Sequence, residues 1–199
     1  MTFIVVEGGE GVGKSTQVER LAAWLRERGR DVVVTFEPGD TNAGAAMRAV
    51  LLHADAPLDA RAELFLMLAD RAQHVAEVIR PALARGATVV CDRFTPSTLA
   101  YQGVARGLGV DPVDDLCMWA IDGLEPDAVI VLDLTDAVAE ARVSADRDRF
   151  ERAGDDFHMK VRAAYRDLSA ERGWILVDAS GTADEVARRV QAALAHVIP

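Results

Sequence analysis

The sequence predicts an α/β fold of three layers, a five-stranded parallel sheet with helices on both faces. Three observations predict it. Short apolar runs at residues 3–6, 32–35, 88–91, 128–132 and 174–177 are bounded by turn residues and lack strict alternation, as strands covered on both faces do. Helical stretches alternate with these runs, the arrangement of a doubly wound sheet. The first run also leads through a glycine-rich loop into an amphipathic stretch, a strand–loop–helix unit.

Taken in order, the first helix is expected from about residue 15 to 28, with Val18, Leu21, Trp24 and Leu25 at helical spacing and Gly29 as its stop. A second covers roughly 43–52. A long third, 58–85, is expected to bend near Pro81 and to end at Gly86. Asp111 followed by Pro112 reads as an N-cap with proline at the first helical position. Thr182 with Glu185 fits a capping box for the C-terminal helix. No repeat, linker or low-complexity tract interrupts the 199 residues, so one domain spanning 1–199 is expected.

Composition narrows the function classes. The formal net charge is −10, which argues against a polymeric DNA or RNA partner but not against a nucleotide, which needs only a local nest and a few arginines. No segment approaches about 18 uninterrupted apolar residues, so no membrane span is expected. The chain opens directly in the first strand, leaving no room for a signal peptide. Cys91 and Cys117 sit in apolar surroundings and read as reduced buried thiols, which suits a cytoplasmic location.

The chemistry begins at Gly8-Gly9-Glu10-Gly11-Val12-Gly13-Lys14-Ser15, a full match to G-x-x-x-x-G-K-S/T, followed by Thr16. Glycines let successive backbone N–H groups turn inward around phosphates, and the helix N-terminus adds the positive end of its dipole. Lys14 is expected to reach the β- and γ-phosphates, and Ser15 to ligate Mg²⁺. The chain thus reads as binding a nucleoside triphosphate. The strand ending in Cys91-Asp92-Arg93 supplies a carboxylate for the magnesium shell and an adjacent guanidinium for an anion. Residues 142–156 are poor in apolar side chains and carry Arg142, Arg147, Arg149 and Arg152; they read either as a solvated charged loop or as a lid that brings guanidinium groups over a triphosphate.

Several phosphate chemistries drop out. Asn42 is the only asparagine and no lysine follows it, so the Asn-Lys-x-Asp guanine reader is missing. Gly9 stands where partition-type ATPases carry an additional lysine. Phosphoryl transfer to a small phosphorylated acceptor remains. A nucleoside monophosphate, with a second phosphate pKa near ~6, presents an oxygen already ionised at neutral pH. Such a reaction needs fixed cations rather than a strong base, so His74 and His158 read as packing or surface residues.

Across nearly its whole length the chain resembles the thymidylate kinase family. The resemblance rests on Asp92-Arg93-Phe94-Thr95-Pro96-Ser97-Thr98-Leu99-Ala100-Tyr101-Gln102-Gly103, on Glu37-Pro38-Gly39, on Ala69-Asp70-Arg71-Ala72-Gln73-His74 and on Asp148-Arg149-Phe150-Glu151. It implies a P-loop nucleoside monophosphate kinase fold, ATP and Mg²⁺ as donor and metal, dTMP as acceptor, and a homodimer. It also implies roles. Arg48 and Arg93 bind the acceptor phosphate. Arg71 reads the thymine edge, with Gln102, Thr98, Ser97 and Met67 in the same site. Tyr101 sits by the sugar, while Glu37 and Asp92 organise magnesium and water. The P-loop holds no arginine, so the transition-state arginine comes from the lid: Arg147 first, Arg149 next, with Arg142 lying against the adenine. Phe94 reads as a core aromatic. The chain departs from the family pattern at Phe36, where an arginine is usual, at Asp40, where a glycine is common, and at Met67, where an aromatic is usual. These departures leave two alternatives open, a kinase whose preferred pyrimidine acceptor has shifted and a nucleotide-binding regulator without transfer.

Overall fold

The computed structural model describes residues 1–53, 57–135, 149–150 and 153–198. Five parallel strands, β1 (Thr2–Gly8), β2 (Val32–Phe36), β3 (Thr88–Asp92), β4 (Ala128–Asp133) and β5 (Ile175–Asp178), form one sheet in the order β2-β3-β1-β4-β5. Each expected apolar run is a strand, extended by one to three residues at its ends or, for the last, starting one residue later.

Alternation along β1 sorts side chains between two cores. Phe3 and Val5 face one layer with Val89, Cys91, Leu64, Leu68 and Tyr165; Ile4 and Val6 face the other with Val90, Leu21, Leu25, Val186 and Val190. The first layer is built by α3 (Ala60–His74), α6 (Val110–Ala120) and α7 (Asp155–Arg172), the second by α1 (Lys14–Glu27) and α8 (Ala183–Ala193). Among the described residues the remaining α-helices are α2 (Asn42–His53), α4 (Arg80–Ala84) and α5 (Thr95–Thr98). The three-layer arrangement is the one the sequence predicts. Phe94 is fully buried edge-on to Phe3, and both cysteines are free and buried, also as expected.

Two local expectations are corrected. The long third helix runs on through Pro81, near which a bend is expected, and the irregular turn lies one turn earlier, at Val75–Ile79, where the Arg80 N–H reaches the Val75 carbonyl five residues back. That π turn makes room for the proline ring and lets Pro81, which has no N–H, fall in the first turn of α4. Nor is Asp111 an N-cap. α6 starts at Val110, after Gly109 at φ 90°, and Asp111 is an acidic residue of its first turn. The capping box at α8 is present in both directions, Thr182 to the Glu185 N–H and Glu185 to the Thr182 N–H.

Candidate active site

The carboxyl ends of β1, β2 and β3 open side by side, with Val6 paired to Asp92 and Phe36 paired to Asp92 across the sheet. Ligands of open α/β sheets bind at this edge, beside the central strand where the order reverses. β1 delivers the P-loop. Gly8 has φ 138°, and a Cβ there would lie 2.5 Å from the Leu132 carbonyl oxygen of β4, so only glycine lets the two strand ends approach. Lys14 Nζ donates to the Gly8 and Gly9 carbonyls at 3.1 and 2.8 Å, folded back over its own loop. Burial, together with the neighbouring Arg93 charge, pushes the Lys14 pKa down, and Glu10 and Asp92 partly oppose this.

Ser15 Oγ donates to Asp92 Oδ2 at 3.0 Å, and Asp92 Oδ1 is buried with no donor among the described residues. A hydroxyl and a carboxylate with an open oxygen form a hard oxygen donor set that fits Mg²⁺. Among the described residues no group of three His, Cys, Asp or Glu side chains could hold a metal, so further ligands have to come from phosphate and water.

Arg93 follows Asp92 with φ 71°, a strained conformation for a side chain that size. Its guanidinium is over-determined: Nη2 donates to Glu10 Oε1, Nη1 to Ser97 Oγ at 3.2 Å, and the group lies over the Tyr101 ring. Tyr101 Oη also donates to Glu10 Oε1, at 3.0 Å. Burial alone raises the Glu10 carboxyl; Arg93 and Lys14 outweigh it and hold it down at about 2. Beneath Arg93 lies Glu7, fully buried, accepting from the Phe94 and Ser97 N–H groups, Ser97 Oγ and Tyr165 Oη. The sequence reading missed Glu7 and placed Glu10 only on the donor side.

Two cavities meet here. One, of about 540 Å³, lies over the P-loop and is lined by Lys14, Ser15, Thr16 and Asp92. The other, of about 260 Å³, is lined by Met67, Arg71, Ser97, Thr98, Tyr101 and Gln102. Glu10, Glu37, Arg48 and Arg93 line both. Arg48 donates to the Pro38 carbonyl at 2.6 Å and lies over the Phe36 ring, while Asp40 accepts from Thr35 and lines neither cavity. Gly39 permits the Arg48 crossing, because a Cβ there would meet Arg48 Cδ at 2.6 Å.

Arg71 is 2 % exposed and its fork is fixed from three sides: Nε to Glu37 Oε2 at 2.8 Å, Nη1 to Thr98 Oγ1 at 2.9 Å and Nη2 to the Phe94 carbonyl at 3.0 Å. Glu37 takes His74 Nδ1 on its other oxygen at 2.8 Å, so both its oxygens are engaged within the protein. His74 is thus a buried member of this network rather than a surface residue.

Of the lid arginines, Arg142 and Arg147 lie outside the described residues, as does most of 142–156. Arg149 is described, and it faces α2 and α3: Nη1 pairs with Glu63 at 2.7 Å and Nε donates to the Leu51 carbonyl at 2.7 Å. A third cavity, of about 440 Å³, adjoins the P-loop on its far side between Gly11–Gln17 and the turn after β5, including Ala179, Gly181 and Ala183. Gln17 ties the two together by donating to the Ala183 carbonyl at 3.0 Å. Nothing local in the sequence signals that this turn meets the P-loop, since Ala183 lies 166 residues from Gln17.

Comparisons with known proteins identify the family. A model of the family described as "Thymidylate kinase" matches residues 6–190. The chain is 47 % identical over 196 residues to a protein named "Thymidylate kinase" from Leifsonia xyli, covering 96 % of this chain and 93 % of that one. It is 48 % identical over 200 residues to one from Solidesulfovibrio magneticus, covering 94 % and 96 %, and 47 % identical over 190 residues to one from Bifidobacterium longum, covering 92 % of each.

Proposed function

The chain belongs to the thymidylate kinase family, and we propose that it transfers the γ-phosphoryl group of ATP to dTMP, giving dTDP and ADP. The observation that carries the reading is the shared wall: Arg48 and Arg93 border both a P-loop cavity and a second cavity with base-reading side chains. Two anionic ligands placed in these cavities meet end to end, with cations fixed between them.

Lys14 and the loop amides, from Gly8 to Thr16, hold the donor phosphates, and the cavity beside Gly11–Gln17 takes the adenine. Ser15 and Asp92 would hold Mg²⁺, which when bound would supply charge neutralisation to the transferring group. Arg93 and Arg48 hold the dTMP phosphate in line. Its attacking oxygen is already ionised, so positioning and electrostatic stabilisation replace a base. Arg71 donates to the thymine O4 edge, Thr98 holds Arg71, Gln102 faces N3, and Met67 covers the ring. Tyr101, braced on Glu10, lies where the sugar passes. Because Arg149 is anchored to Glu63, we assign the transition-state role to Arg147 and the adenine contact to Arg142. The enzyme is further read as a cytoplasmic homodimer; no described helix is long and apolar enough to cross a membrane.

Steady-state rates with ATP, Mg²⁺ and a panel of dTMP, dUMP, dCMP and UMP test the reading. dTMP leads the panel by kcat/KM, and Arg147→Ala lowers kcat on the order of a hundredfold with little change in either KM. Another nucleotide leading would establish a shifted acceptor; ATP binding without ADP release on adding any acceptor would establish a non-catalytic binder.

A further inference from the structure

Glu63, the anchor of Arg149, is fully buried and holds three side chains at once. Its Oε1 accepts from Gln102 Nε2 at 2.7 Å and Arg106 Nε at 3.2 Å; its Oε2 accepts from Arg106 Nη2 at 3.1 Å and Arg149 Nη1 at 2.7 Å. A carboxylate between two guanidinium groups only accepts hydrogen bonds. Gln102, itself 1 % exposed, therefore has to turn its NH₂ toward Glu63. The opposite amide rotamer would set a carbonyl oxygen against a carboxylate oxygen in a site closed to water.

The consequence lies at the other end of the amide. Gln102 lines the acceptor cavity, and among the described residues no donor meets its Oε1. We propose that Glu63 is a positioning residue that fixes Gln102 with its carbonyl oxygen toward the acceptor cavity, so that the site selects a pyrimidine carrying a hydrogen on N3. A thymine or uracil ring offers that N–H, whereas a cytosine ring offers a bare acceptor there and leaves two lone pairs facing each other. This selection acts beside the Arg71 contact at ring position 4, and the proposal rests on the reading of this cavity as the dTMP site.

Glu63→Gln inverts the clamp. Its carbonyl oxygen stays on the side where Arg106 Nη2 and Arg149 Nη1 both bond, so its NH₂ gives up the longer Arg106 Nε contact, faces Gln102 and turns that amide over. The test compares kcat/KM for dTMP and dCMP in the wild type, Glu63→Gln, Gln102→Met and the double variant. In Glu63→Gln the dTMP-to-dCMP ratio falls by roughly ten- to a hundredfold with the KM for ATP unchanged. Gln102→Met loses a similar factor, and the double variant loses no more than Gln102→Met alone. A folded Glu63→Gln that loses both substrates equally and keeps the ratio overturns the proposal, as does a double variant whose losses multiply. Wild-type enzyme that does not prefer dTMP refutes instead the underlying reading of the site. Hydrogen exchange of the Gln102 side-chain NH₂ in the ligand-free wild type, followed by NMR, decides the matter even where Glu63→Gln fails to fold. Protection before dTMP is added supports the clamp, and exchange that slows only on adding dTMP overturns it.

Discussion

Asp70 shows how a single buried carboxyl is coupled to the site around it. It accepts from the Gly39 N–H at 3.0 Å, which pins the loop after the cis Glu37–Pro38 peptide to α3, and its Oδ2 is buried without a described partner. Burial, reinforced by the Glu37 charge, raises its pKa to about 6 against an ordinary value of 3.8. Between those pH values the folded chain binds a proton that the unfolded chain has released. Stability from this group is therefore complete below about pH 4 and is lost as pH rises through about 6. Asp70→Asn keeps the acceptor for Gly39 and replaces the protonated oxygen with an NH₂. Urea unfolding at pH 4 and pH 7.5 is expected to show the variant gaining on the wild type as pH rises; a difference independent of pH contradicts this. Legibility in the sequence also differs by residue. Asp92 and Arg93 stood out because they are adjacent at a strand end. Glu7, Glu10 and Glu63 matter through Tyr165, Tyr101 and Arg149, which lie 158, 91 and 86 positions away, and no local pattern records such pairings.

At the scale of elements, the five strands and α1 were readable because burial on both faces leaves an uninterrupted apolar run and because the P-loop has a fixed glycine pattern. The π segments were not. Leu99–Ala105 carries Tyr101 and Gln102, and its widened turn closes with the Arg106 N–H on the Tyr101 carbonyl at 2.8 Å. A shift from four- to five-residue hydrogen bonding has no residue signature; it is set by packing against α6 and α7. The helix faces also carry a prediction. Val50 on α2, Phe65 on α3 and Trp119 on α6 are exposed, Trp119 at 84 %, on helices that pack against one another in the order α2, α3, α6. Singly exposed apolar side chains are common, but three on adjoining helices match the homodimer proposed for this chain. Sedimentation is expected to give a dimer for the wild type and a monomer for the Phe65→Glu, Trp119→Glu double variant; a monomeric wild type refutes the pairing.

For the molecule as a whole, an acidic chain of net charge −10 gathers Lys14, Arg48 and Arg93 at one edge of its sheet, where two cavities adjoin. The overall charge argues against a nucleic-acid polymer, and the fixed local cations are what an anionic pair of small ligands requires. The order β2-β3-β1-β4-β5 makes this possible, because β1 and β3 end side by side and bring the P-loop, Asp92 and Arg93 within reach of one phosphate chain. The most direct measurement of that claim is calorimetric titration with adenosine and thymidine joined 5′ to 5′ through five phosphates. One such molecule is expected to bind per chain, to displace both ATP and dTMP, and to lose most of its affinity in Arg93→Met. Binding that displaces ATP while dTMP still binds with undiminished affinity would contradict a head-on meeting of the two nucleotides over Arg93.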